Sequence, residues 1–349
     1  MGSESKVEAS SPPQAKRKGW YLLCLALVAV CWMAYPYPPH SPKVIGNSSS
    51  HCSHLSPLPA SEFHTRLSTL GETLTTLKAS AYITEPGANA LYYANISTSH
   101  CHLSERPLLL IVDASARVTV LTPKFEGTRA RLLPILSDVK WVEWAEDEVP
   151  YGQLPDIEGT VFVDGNIRHF IVDGLRTAFP KAIISAAPPE IRQLRERKSK
   201  RVLELLKCAN EATLLAIRQT HKQMHLGMRE SDARNLVTAD ALPHSEKTPP
   251  SLTEAAQTAL FDCTASLHGY WSDVTRTLAL LAFTIPNTHI QIWNFVHSAQ
   301  NIAFGTAHAG VVAKCVDEAP RLFLGLAGYA KYFTHRLGHG IGLEVHEDP

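Results

Sequence analysis

The sequence predicts an α/β domain followed by an α+β domain, both behind a single N-terminal transmembrane helix. Three observations predict this. An uncharged run, Gly19 to Tyr35, follows the basic residues Lys16, Arg17 and Lys18. Between residues 59 and 190, strand-like segments alternate with amphipathic helical ones. From residue 191 a long helical stretch leads to a hairpin-like segment and a terminus rich in glycine and histidine.

The length of 349 residues leaves room for two domains of roughly 150 residues each. Hydrophobic residues make up 45% and charged residues 19%, enough apolar content to bury two cores. Lys+Arg and Asp+Glu each number 33, so the chain carries no general electrostatic case for nucleic acid. Recognition is therefore expected to be local.

The run GWYLLCLALVAVCWMAY is about 17 residues long, near the lower limit for spanning a bilayer. Basic residues before it favour a cytosolic N-terminus and an exported remainder. Pro36, Pro38 and Pro39 end it at once, which argues against a buried helix. No small-x-small cleavage site follows, so an uncleaved signal anchor is expected; cleavage would make the protein secreted. The expected organisation is a cytosolic tail at 1–18, an anchor at 19–35, a linker at 36–58, a first domain at 59–190 and a second at 191–349. The second and third regions place most of the chain in a lumenal, vacuolar or extracellular space. Sequons at Asn47 and Asn95 would then be open to glycosylation. Cys52 and Cys101 are candidates to pair in an oxidising lumen. Cys208, Cys263 and Cys315 read as buried thiols, and no CxxC spacing suggests a zinc knuckle.

In the first domain SEFHTRLSTLGETLTTLK reads as an amphipathic helix. ASAYITE, RPLLLIVDA, RVTVLTP, KWVEWAE and GTVFVDG read as strands, with helices at FEGTRARLLPIL and HFIVDGLRTAF. The second domain opens with a long helical stretch from Pro189 to Met224. Its charge run, Arg192 to Arg201, reads as a solvated face because Glu196 and Glu204 interleave with it. A shorter helix, a loop around Pro249 and Pro250, the segment ALFDCTASLHGYWSDVTRTLALL and a further helix, IQIWNFVHSAQNIAFGTAHAG, follow.

Asp262 and Asp273 lie eleven positions apart around His268-Gly269, a dipeptide suited to a tight turn. A two-residue loop there sets Asp262 opposite Thr275, with Asp273 its diagonal neighbour. A loop one residue earlier sets the two aspartates face to face. Both registers place the carboxylates on one face, roughly 5 to 8 Å apart. Two such carboxylates repel unless a cation lies between them; the plain alternative is two solvated aspartates beside a turn. In HRLGHGIGLEVHEDP, Gly338, Gly340 and Gly342 surround His339 and permit close approach of backbone or ligand. An Asp/Asp/His set suits manganese, iron, cobalt or zinc better than calcium or magnesium. His335 and His339 are four apart, but the glycines exclude a helical zinc motif.

Taken together, DCTASLHGYWSDVTRT and HRLGHGIGLEVHEDP resemble the two metal motifs of the aminopeptidase P, prolidase and methionine aminopeptidase superfamily, peptidase family M24. SERP at Ser104 to Pro107, TPKFE at Thr122 to Glu126 and WAEDEVPY at Trp144 to Tyr151 are similar to the Xaa-Pro branch. The resemblance covers about residues 59 to 349. It implies a creatinase-like N-terminal domain and a pita-bread metallopeptidase domain. It further implies two divalent metal ions, manganese first and cobalt or zinc next. Asp262 would chelate one ion, Asp273 would bridge both and His339 would bind the second. His346 matches the histidine that steadies the tetrahedral intermediate; His335 and His244 match substrate-facing histidines. Arg276 is expected to support the site without performing chemistry. The implied substrates are peptides with proline second, and a homodimer is a further expectation.

The sequence departs from that pattern in two ways. The family supplies two further glutamate ligands downstream of the histidine motif, and this sequence ends at Pro349. The stretch between Ala241 and Asp262 is also short. The pita-bread domain is accordingly expected to be incomplete, unstable and negligibly active. A non-catalytic binding protein on the same scaffold is the competing reading, which the retained Asp262, Asp273 and His339 disfavour. A metal-free creatine-type hydrolase is disfavoured by the same aspartates.

Overall fold

The computed structural model describes residues 51–99, 101–225, 227–240, 258–280 and 284–348. The apolar run at Gly19, the sequon at Asn47 and His244 lie outside these residues. No helix among the described residues is long and apolar enough to cross a membrane.

Residues 60 to 186 build a six-stranded mixed sheet, within one compact unit that runs from Gly46 to Pro349. Its strands are β1 (Ala79–Thr84), β2 (Leu109–Asp113), β3 (Val118–Pro123), β4 (Val139–Trp144), β5 (Gly159–Val163) and β6 (Ala182–Ala186), in the order β4-β3-β2-β1-β5-β6. The strands β1, β2 and β3 pair antiparallel; β3–β4, β1–β5 and β5–β6 pair parallel. Five of these match the expected strands, and β6 is additional. The central strands are β-branched and leucine-rich because both sheet faces are covered. One face carries α1 (Ala60–Thr76) and α2 (Ala88–Ala94), burying Leu67, Leu70, Leu74 and Tyr93 against Leu110 and Val120. The other carries α4 (His169–Ala178), burying Ile171 and Leu175 against Ile83, Leu109 and Val161.

Two expected helices differ. FEGTRARLLPIL forms only a 3-10 turn at Lys124–Glu126 and the single turn α3 (Gly127–Ala130). Pro134 cannot continue a helix, and Leu132 is exposed where a longer helix would have had to bury it. The long stretch after Pro189 divides into α5 (Pro189–Glu196) and α6 (Lys200–Gln223). Arg197 is extended, and the Ser199 hydroxyl accepts from the Val202 amide, so a new N-cap starts there.

α6 is the backbone of the second domain. Its apolar stripe, Leu205, Ala209, Ala212 and Ala216, recurs every three or four residues and is buried, with Ile217 beside it. α7 (Glu230–Asp240) packs beside it. Against the same stripe lies a hairpin whose outer ladder is β7 (Thr258–Cys263) with β10 (Val274–Ala279). Its tip is β8 (Ser266–Leu267) with β9 (Tyr270–Trp271). Ala259, Phe261 and Cys263 face α6, leaving Leu260 and Asp262 on the open face. A helix pair, α8 (Asn287–Thr306) and α9 (Ala313–Leu326), leads to the glycine–histidine segment.

The cysteines correct the expected pairing. Cys52 forms a disulfide with Cys208 of α6, across 156 positions of sequence and a Cα–Cα distance of 5.9 Å. Cys101 is free and packs against the core of the first sheet, so it has no access to Cys52. Cys263 is buried as expected, whereas Cys315 is exposed. The disulfide and a 2.9 Å contact between His51 Nε2 and Glu211 fasten residues 51 to 58 onto α6.

Candidate metal centre

The hairpin resolves the two open registers. Asp262 pairs with Thr275, so the loop is His268-Gly269. Both loop residues have positive φ, 52° and 84°, as a type I′ turn requires. The His268 ring reaches the Leu55 carbonyl at 3.0 Å, which ties the turn to the disulfide-held segment.

Asp273 follows Ser272, which is fully buried. The Ser272 hydroxyl meets Thr213 Oγ1 of α6 at 2.7 Å and accepts from the Ala265 amide at 2.9 Å. The Asp273 amide donates to Asn210 Oδ1 at 3.4 Å. The aspartate is thus held from its own backbone by α6. Asp262, one step away on the same face, is exposed, and its Oδ1 accepts from the Thr275 hydroxyl at 2.9 Å.

The glycine–histidine segment folds back on itself through an antiparallel bridge. Gly340 donates to Glu347 O at 3.0 Å, and Glu347 donates to Gly340 O at 2.9 Å. A Cβ on Gly340 would lie 2.3 Å from the Asp348 carbonyl, and one on Gly342 would lie 2.7 Å from the Glu347 carboxylate. Close approach is therefore what these glycines serve, and the approaching groups belong to the same loop. The Gly342 carbonyl accepts from the Trp271 amide at 2.8 Å, joining the loop to the strand that leads into Asp273.

This docking brings His339 Nε2 within 3.2 Å of Asp273 Oδ2. His339 Nδ1 lies 2.8 Å from the Gly340 carbonyl. A carbonyl only accepts, so Nδ1 donates to it and Nε2 is the ring nitrogen left to face the carboxylate. Between that nitrogen and the carboxylate either a proton or a cation can sit, and an imidazole oriented from outside by the Gly340 carbonyl is a donor set that a divalent cation can use. The His346 ring sits 4.1 Å from that of His339, on the solvent side.

Of the six residues expected at the site, Asp273, His339 and His346 come together. Asp262 shares their face, but its carboxylate leans on Thr275, and the three expected ligand atoms do not all lie within 4.8 Å of one another. Among the described residues His51, Cys52 and Cys208 do cluster that tightly, but there the two sulfurs are already joined. His335 is exposed and is held through its backbone carbonyl, which accepts from Arg321. Arg321 in turn pairs with Asp317, whose carboxyl its guanidinium holds below the usual range. Arg276 is exposed and donates to the Thr275 carbonyl at 2.7 Å, a supporting contact.

The residues missed by sequence reasoning are supports. Arg195 and Lys198 do not form a solvated face: their side chains are mostly buried and reach Glu344 and Glu347. Asn210, Thr213 and Ser272 read in sequence as ordinary helix and strand polar residues. Only the packing of hairpin on helix reveals their partners.

Residues 237–349 match the model of metallopeptidase family M24. An uncharacterised peptidase of Schizosaccharomyces pombe is 33% identical over 321 residues, 82% of this chain and 70% of the relative. The chain belongs to metallopeptidase family M24. An Xaa-Pro dipeptidase of Pyrococcus furiosus is 28% identical over 69% of this chain and 73% of its own. Among solved structures, the dipeptidase PepE of Mycobacterium ulcerans superposes with a TM-score of 0.71 at 23% identity, covering 84% of each chain. The M24 family works with divalent metal ions, and the pita-bread architecture expected from the two motifs is the one found.

Proposed function

We propose that this M24 member hydrolyses Xaa-Pro peptide bonds, as a dipeptidase or an aminopeptidase of the P type. Two divalent cations are proposed, manganese in preference to cobalt or zinc, with Asp262, Asp273 and His339 among their ligands. When bound, they would supply Lewis acidity and acidify a water enough to attack an amide near neutral pH. The observation that carries the reading is the Asp273–His339 pair, with the His339 tautomer set by the Gly340 carbonyl.

The protein's own groups divide the remaining work. Asn210 and Ser272 hold the Asp273 backbone, and Thr275 orients Asp262. His346, beside His339 and open to solvent, is proposed to donate to the carbonyl oxygen of the scissile bond. His335 and His244 are proposed to face the substrate. Proline offers no amide N–H and a fixed φ, so a pocket must recognise its shape instead of its hydrogen bonds. An exported location behind a membrane anchor is proposed too, supported by the Cys52–Cys208 disulfide, since such bonds persist in oxidising compartments.

Metal binding is the sharper test, because it reads Asp262, Asp273 and His339 directly. Titration with Co2+, followed by its visible absorption, should show binding that Asp273→Asn weakens at least about 100-fold. Equal binding by wild type and variant, or none by either, would sink the metal reading and favour a non-catalytic binding protein. Manganese-dependent release of proline from Gly-Pro or Ala-Pro would support the peptidase reading.

A further inference from the structure

Glu347 is a buried carboxylate to which the proposed chemistry gives no role. Its side chain is 2% exposed. Oε2 receives Lys198 Nζ at 2.8 Å, and Oε1 lies 3.4 Å from Arg195 Nε. Oε1 also accepts from the Leu343 and Glu344 amides at 2.9 and 3.2 Å. Lys198 spends its other two protons on the carbonyls of Arg195 and Glu196, at 2.9 and 3.0 Å. Arg195 also donates to Asn89 Oδ1 at 3.1 Å and to Glu344. A buried charge costs heavily unless paired and hydrogen-bonded, and this one is saturated on every side.

The location matters more than the count of bonds. Glu347 follows His346 directly, and its backbone forms both bonds of the bridge to Gly340, which follows His339. The carboxylate closes over Gly342, whose carbonyl holds Trp271, two residues before Asp273. One side chain thus sets the loop that carries both histidines against the strand that carries the aspartate. Its counter-ions come from the last turn of α5, Arg195, and from the break before α6, Lys198, so the loop is referenced to that helix junction.

We infer that Glu347, clamped by Lys198 and Arg195, is the positioning residue that fixes His339 and His346 relative to Asp273. The inference rests on the proposed function of those two histidines. Outer partners of metal ligands typically alter affinity about 10–100-fold when lost. Glu347→Gln keeps the volume and removes the charge. It should weaken Co2+ binding by about that factor in the full chain. In the metal-free protein it should speed hydrogen exchange at the Leu343 and Glu344 amides while leaving Leu109–Asp113 unchanged.

Lys198→Met should do the same, and the double variant should fall short of the sum of the two, because the partners act as one unit. Glu347→Asp, which keeps the charge, serves if either variant folds poorly and should lie between wild type and Glu347→Gln. Unchanged affinity and unchanged exchange at 343 and 344 would overturn the inference. So would exchange that rises equally in Leu109–Asp113, since that marks a role in folding alone. If wild type binds no Co2+, the functional reading fails by itself, and the local exchange pattern alone decides the positioning role.

Discussion

The six-stranded domain and the peptidase domain bury their apolar residues in different ways. In the first, Ile83, Leu109, Leu110, Ile171 and Leu175 are all 0% exposed, because helices cover both faces of one sheet. In the second, α6 covers one face of a hairpin, and the helix pair α8–α9 packs mainly on itself. Trp293 is 50% exposed, Leu322 69%, and Phe304 and Leu326 each 72%. The first region has its core inside. The second, among the described residues, carries Asp262 and Asp273 on an open hairpin face, and its helix pair exposes large apolar side chains.

This contrast yields its largest effect under substitution. Ile83→Ala should cost about 2–5 kcal/mol, read as a fall in the urea midpoint, because the pocket is closed on every side. Leu326→Ser should stay within about 0.5 kcal/mol and should lower the binding of a fluorescent apolar dye. A Leu326→Ser cost as large as that of Ile83→Ala would mean that the helix pair is packed in solution, and the contrast would collapse.

The disulfide offers the next effect, because it straps residues 51–58 to α6 and, through His268, to the hairpin turn. Cys208→Ser should cost about 2–4 kcal/mol, and thiol reductant should lower the wild-type midpoint to the same level. The loss should fall on the second domain, leaving protection of Leu109–Asp113 intact. A midpoint indifferent to reductant would remove the strap as a stabilising element.

How much of this was legible follows from what each feature needs. The hairpin and the face shared by Asp262 and Asp273 follow from local alternation, so the sequence sufficed for them; the choice between the two turn registers needed the strand pairing. The meeting of Asp273 with His339 needed the family resemblance, since a separation of 66 positions has no local signature. The Cys52–Cys208 partnership was illegible because connectivity depends on tertiary approach, and a nearer cysteine was available at 101. The Arg195–Lys198–Glu347 clamp was hidden for a similar reason. A charge run reads as solvated until a buried carboxylate arrives from 149 positions away. The helix break before Lys200 did leave a trace, namely Ser199 as a capping residue, but the strong helical pattern on either side masked it.

The smallest effect concerns the seam between the two regions. Tyr270 of β9 receives Arg66 Nη2 of α1 at 3.0 Å, and Arg66 lies over the Tyr92 ring at 4.1 Å. Burial pushes the Tyr270 phenol up to about 12, against the downward pull of Arg66. Tyr151, inside the first domain, is also pushed up to about 12 by burial. A free tyrosine ionises near pH 10, so the unfolded chain loses these protons first. The stabilisation is therefore complete below pH 10 and is lost as pH rises from about 10 through about 12. Urea midpoints measured from pH 9 to 12 should fall over that window. Tyr270→Phe should flatten the fall at the seam at a cost of about 1 kcal/mol from the lost hydrogen bond, while Tyr151→Phe should flatten it within the first domain. Tyr82 and Tyr93 are raised by burial as well and keep part of the fall in either variant; if Tyr270→Phe leaves the fall unchanged while Tyr151→Phe reduces it, the seam opens before the sheet does and the hairpin is released first.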